Sequence, residues 1–93
     1  MGLKFRWNPV KAASNLQKHR VGFEDAVAVF GDPLSITVSN PDHSRGEVRL
    51  VTIGRTPTGV TLVVVHTERG DTIRVISARR ATRREVRTYG EEQ

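Results

Sequence analysis

The sequence contains no cysteine, which excludes a disulfide framework and any thiolate-bound zinc or iron–sulfur centre. Aromatic residues are scarce, at 5%, so a core has to be built from Val, Ile, Leu and Ala. No apolar run approaches the roughly 20 residues that span a bilayer. The start, MGLKFRWNP, lacks a signal-peptide h-region, and the expectation is a soluble, cytoplasmic protein with no membrane contact. Also missing are a Gly-rich phosphate loop, a nucleophile elbow and paired catalytic carboxylates. Their absence sets aside ATP-dependent and serine-hydrolase chemistry. His19, His43 and His66 form no i, i+4 pair and have no adjacent carboxylate pattern, so neither a metal site nor another cofactor is expected.

What is present suits one small domain over residues 1–93, with 37% hydrophobic and 27% charged residues. Asn8-Pro9 reads as a helix start, the Asn capping free N–H groups and Pro taking the first helical position. That helix runs to about His19 with an apolar stripe of Val10, Ala13 and Leu16, leaving Lys11, Asn15 and Lys18 for solvent or a partner. In FEDAVAVFGDP, the i, i+3, i+4, i+7 spacing of Phe23, Ala26, Val27 and Phe30 predicts a second helix, opposed at its start by Glu24 and Asp25 and stopped by Gly31 and Pro33.

From Leu34 the period changes to two. Leu34, Ile36 and Val38 alternate with Ser35 and Thr37 as in a half-buried strand, and SNPDHSRG reads as a loop that exposes His43. EVRLVTIGR, GVTLVVVHTE and DTIRVISAR are three further strands. The unbroken apolar run Leu62–Val65 marks a central strand covered on both faces, and LKFRW adds a short edge. Thr82-x-x-Glu85 is a capping box that opens a last helix. The fold class is α+β: an antiparallel sheet of four to five strands with two N-terminal helices and one C-terminal helix.

The net charge of +5 points to an acidic or polyanionic partner, and its placement says more. Residues 79–87 carry Arg79, Arg80, Arg83, Arg84 and Arg87 against Glu85 alone, net +4. Arg83 and Arg84 fall in the first turn of the last helix, where the dipole disfavours cations by about 0.3–1 kcal/mol each. A bound phosphate resolves that conflict; the alternative is a solvated basic helix paired with surface acids. Regular alternation places Ser77 and Arg79 on one face with Ile73 and Val75, and Arg74 and Arg80 on the other. Ser77, Arg79 and the helix start would then converge on one phosphate.

Among other residues, His19 suits a helix-end hydrogen bond, and His66, closing the central strand, is a candidate general base. Trp7 is either a lid on the core or a stacking platform for nucleobases. Arg55, at the start of a turn, is either exposed or a phosphate contact.

Together, FRWNPVKAASNLQKHRVGFEDAVAVF, VTIGR and VISARRATRREV resemble the BrnT family of bacterial type II toxins. The series W-x-x-x-K-x-x-x-N-x-x-K-H is met by Trp7, Lys11, Asn15, Lys18 and His19, followed by Phe23 and Ala26. The second series, I-S-x-R-x-A-[ST]-R-x-E, is met by Ile76, Ser77, Arg79, Ala81, Thr82, Arg83 and Glu85. One departure is Val86, where the family often has a basic residue. The resemblance implies a RelE-like fold and a metal-independent ribonuclease. It also implies inhibition by a ribbon–helix–helix, BrnA-like antitoxin, in a heterotetramer that binds operator DNA through the antitoxin.

RNA can be cut by its own 2′-hydroxyl, so such an enzyme has to align that group and stabilise charge on the phosphate. In this reading Arg79 and Arg55 stabilise charge, Arg83 anchors a neighbouring phosphate and Ser77 orients. His66 is the base, with Glu85 in reserve if its cap leaves it free. Trp7, Lys11, Arg74, Arg80, Arg84 and Arg87 bind RNA. The rival readings are a module that binds nucleic acid without cutting it and an inhibitor of an enzyme such as gyrase.

Overall fold

The computed structural model describes residues 2–39 and 48–91. The chain runs β1 (Lys4–Arg6), α1 (Pro9–His19), α2 (Phe23–Ala28), a 3₁₀ turn (Val29–Gly31), β2 (Ile36–Ser39), β3 (Arg49–Arg55), β4 (Thr61–Arg69), β5 (Thr72–Arg80) and α3 (Arg83–Glu91). The expected loop over SNPDHSRG, with His43, lies outside the described residues except for Ser39, which ends β2.

Five strands form one sheet in the order β1-β5-β4-β3-β2. β2 through β5 pair antiparallel, whereas β1 joins β5 in parallel, because the chain leaves β1 through two helices and re-enters the sheet at its opposite edge. β4 is central, as its apolar run predicted: Leu62 and Val64 are buried on one face and Val63 on the other.

Asn8 caps α1 with its Oδ1, which accepts hydrogen bonds from the backbone N–H groups of Val10 (2.8 Å) and Lys11 (3.2 Å). α2 lies on the sheet as expected, with Phe23 and Ala26 fully buried and Val27 and Phe30 packed against the same core. The core is completed by Val21, Val29, Leu62, Val64, Val75 and Ala78. Gly54 in β3 permits the close approach of the 3₁₀ turn, since a Cβ there would stand 2.6 Å from Val29 Cγ1.

β2 begins two residues later than Leu34, and Leu34 and Val38 are exposed rather than half-buried; two further expectations, which bear on the site, are overturned. The first concerns α1, whose supposed buried stripe faces solvent: Val10 is 77% and Leu16 52% exposed, while Asn15 is buried instead. The reason lies in β5. β1 covers only Thr72–Arg74 of its outer edge, leaving the backbone of Ala78 without a strand partner there. Asn15 supplies the missing pairing: its Oδ1 accepts from Ala78 N–H (3.1 Å) and its Nδ2 donates to Ala78 C=O (2.8 Å) and Val21 C=O (3.0 Å). Buried backbone groups have to be paired, and that requirement outweighs the small apolar stripe.

The second is the facing of β5. Val65 pairs with Ser77 but His66 pairs with Val75, a bulge that inserts Ile76. Beyond it the alternation is reset. Ser77 and Arg79 therefore share a face with Arg74, not with Ile73 and Val75, and only Arg80 remains opposite them.

Candidate functional site

The C-terminal arginines do not form one pocket. Thr82 and Glu85 close the expected capping box, Thr82 N–H donating to Glu85 Oε1 (2.8 Å) and Glu85 N–H to Thr82 Oγ1 (3.2 Å). The same carboxylate receives Arg79 through both guanidinium arms, at 2.7 and 2.8 Å. This fork and the Thr82 N–H overcome partial burial and hold the Glu85 pKa at about 2. Glu85 is thus an anionic anchor, which removes it as a general base. Arg79 is correspondingly a paired cation with its side chain 43% exposed. Arg80 points to the helix-bearing face, into a hollow shared with Arg20 and Asp25. Arg83, Arg84 and Arg87 project into solvent from α3.

Arg55 lies two strands from β5. Its guanidinium sits 5.6 Å over the Tyr89 ring, a cation–π distance, and its backbone N–H donates to Asp32 Oδ2 (2.8 Å). Tyr89 O–H donates to the same oxygen (2.6 Å). Burial raises the Asp32 pKa, but the bonds from Tyr89, Leu34 and Arg55 outweigh it and the net shift is downward. The cluster ties α3 to the turn before β2, and it holds Arg55 there.

His66 cannot serve as a general base at the surface. The regular alternation of β4 puts it on the helix side with Leu62 and Val64, fully buried, edge-on to Phe30 at 4.8 Å. Its Nε2 is 2.7 Å from Thr52 Oγ1, itself 2.7 Å from Thr37 Oγ1. Burial lowers its pKa to about 4, so at neutral pH the ring is uncharged and its 3.8 Å approach to Glu68 is no ion pair. Trp7 resolves toward the lid: it meets Phe23 edge-on at 6.0 Å and packs on the core.

What the structure does bring together is a groove between α1 and the uncovered stretch of β5. Lys11, Ser14, Asn15, Lys18 and His19 line one side, Ile76 and Ser77 the other. The α1 residues recur at helical spacing, the same face that Asn15 clamps to Ala78. Among the described residues no carboxylate lines the groove, and neither Lys11 nor Lys18 makes an ion pair there. Ser77 and the exposed Lys11 thus line the same groove. Lys18 and His19, quoted in the sequence but assigned no site role, join them. The signal that marks them is the Lys11, Ser14, Asn15, Lys18 periodicity, hidden because the competing stripe of Val10 and Leu16 looked more hydrophobic.

The groove is thus the meeting point of the two separated sequence signatures, the N-terminal one supplying α1 and the C-terminal one β5. No curated protein matches the sequence. Among solved structures, the ribonuclease toxin BrnT of Brucella abortus is similar with a TM-score of 0.63 at 24% identity, covering 87% of this chain and 99% of that one; this likeness bears on the fold alone. The family profile described as ribonuclease toxin, BrnT, of type II toxin–antitoxin system matches residues 7–85, from the tryptophan that opens the first signature to the glutamate that closes the second. By that match the chain belongs to the BrnT family, ribonuclease toxins that act on RNA and are paired with a cognate antitoxin.

Proposed function

We propose that this toxin cuts RNA in the groove between α1 and β5, by attack of the substrate's own 2′-hydroxyl oxygen on the adjacent phosphorus, with departure of the 5′-oxygen, which takes a proton from solvent water. The observation that carries the reading is the Asn15–Ala78 clasp, which holds two signature segments 63 residues apart around one cationic hollow.

In this scheme His19 accepts the 2′-hydroxyl proton, the part that buried His66 and ion-paired Glu85 cannot take, because its imidazole lines the groove and carries an acceptor nitrogen. Lys11 and Lys18 stabilise charge that builds on the non-bridging oxygens, and Ser77 orients the phosphate. Arg79 and Arg83 hold the next phosphate, which competes with Glu85 for the half-exposed guanidinium, and Arg84 and Arg87 extend the grip. Ammonium, imidazole and hydroxyl groups rather than carboxylates line the groove, which favours a reaction without a metal. Arg55 anchors α3 in this reading, and Arg80 serves the opposite face.

The antitoxin we take to be an acidic ribbon–helix–helix protein, BrnA-like, assembling with the toxin as a heterotetramer on operator DNA in the cytoplasm. The net charge of +5 and the family support this reading.

Incubation of purified protein with RNA in EDTA tests the chemistry. The expected products carry 2′,3′-cyclic phosphate and 5′-hydroxyl ends, and 2′-O-methyl RNA stays whole. Intact RNA held in a salt-sensitive complex would instead identify a binding module. Gyrase inhibition without RNA loss would identify an enzyme inhibitor.

A further inference from the structure

The sheet face that carries Ser77 and Arg79 has a second cationic centre at its far edge. Arg6 of β1 and Arg74 of β5 are register partners on parallel strands. Arg74 is in turn opposite Thr67, and Thr67 opposite Arg49; the next row holds Lys4, Thr72 and Arg69. The described strand residues of this face include no acid.

Like charges directly opposite one another weaken a sheet, and no acid among the described residues offsets the Arg6–Arg74 pair. Both side chains are exposed, and neither has an ion pair or hydrogen bond among the described residues. Two adjoining hollows both contain them, one with Thr67, Arg69 and Thr72, the other with Phe5 and Trp7. Two unpaired guanidinium groups side by side match the bidentate phosphate contact that holds single strands.

The geometry points to a phosphate subsite for single-stranded RNA between Arg6 and Arg74, distinct from the groove where cutting is proposed. This inference rests on the proposed function for the identity of its ligand. The placement supports RNA over an acidic protein segment. Arg74 and Ser77 are on the same face of β5, three residues and about 10 Å apart, so one strand laid along β5 reaches both centres. The subsite then favours substrates that extend past the cleaved bond.

Binding of uncleavable 2′-O-methyl RNAs of increasing length, measured by fluorescence anisotropy across a salt series, tests the subsite. For wild type, affinity rises with length. Arg6→Ala/Arg74→Ala protein is expected to lose that rise, to bind the longest RNA about tenfold more weakly at low salt, and to show a salt slope smaller by about one. Arg6→Lys/Arg74→Lys protein keeps most of the slope. Unchanged affinity and slope in the alanine variant would overturn the inference. So would intact RNA binding with weakened binding of the purified antitoxin, which would assign the patch to a protein partner. A His19→Gln control separates the two claims: if it cleaves at the wild-type rate, the groove mechanism fails while the binding series still decides the subsite.

Discussion

Asn15 closes the groove with three hydrogen bonds, two of them to the same residue of β5. Removing its amide leaves the Ala78 N–H and two buried carbonyls without partners, at about 1–3 kcal/mol for each unsatisfied group. Asn15→Ala is expected to lower stability by about 3 kcal/mol in urea unfolding. Two titrating residues give the protein a pH dependence in separate windows. Glu85 has its pKa depressed to about 2, so its contribution is complete above the ordinary carboxylate value and is lost as pH falls from about 4.5 to 2. Glu85→Gln, which keeps an amide oxygen for the Thr82 N–H but loses the charged fork to Arg79, should cost about 1 kcal/mol at pH 7, and the deficit should vanish near pH 2. His66 is also depressed, to about 4. The unfolded chain takes up a proton below pH 6.5 that the folded one refuses, so stability declines between pH 6.5 and 4. A His66→Leu variant should be flat across that window; the same decline in the variant would show that another group is responsible.

The secondary-structure elements show where the sequence was legible and where it was not. α2 was readable because its apolar spacing and its burial coincide, and α3 because a capping box is a local pattern whose partners lie three residues apart. The strand β4 declared itself by an apolar run that only a central position can cover. α1 was misread because the decisive contact, Asn15 with Ala78, is long-range and polar, and the polar periodicity that carries it competes with the more apolar stripe of Val10 and Leu16. The facing of β5 was misread because a single inserted residue, Ile76, resets alternation without leaving a glycine or proline to mark it. These corrections carry their own tests. Val10→Lys and Leu16→Lys, on the exposed side of α1, should each change stability by less than about 0.5 kcal/mol, where burial of the stripe would have made them severe. Gly54→Ala should be destabilising by about 1–3 kcal/mol, because its methyl would meet Val29 at the closest point between the 3₁₀ turn and β3.

Across the whole molecule, charge is sorted by surface. The helix-bearing face holds the core, the neutral His66 and the acids of α2. The opposite face holds the strand arginines other than Arg80, and α3 adds its own at one end. The sequence located part of this excess at residues 79–87, but it placed the functional centre there as well. In the folded chain Arg79 is matched by Glu85 and Arg55 is drawn to Tyr89, while the unmatched cations gather along α1 and β5. That redistribution was invisible in the linear charge count because it depends on which helix face meets the sheet edge. The most direct test of the central claim, that RNA is cut between α1 and β5, is the cleavage rate in EDTA of Lys18→Ala/His19→Gln protein whose thermal melting matches wild type. The account predicts a loss of about 100-fold or more; a rate within about twofold of wild type would contradict it.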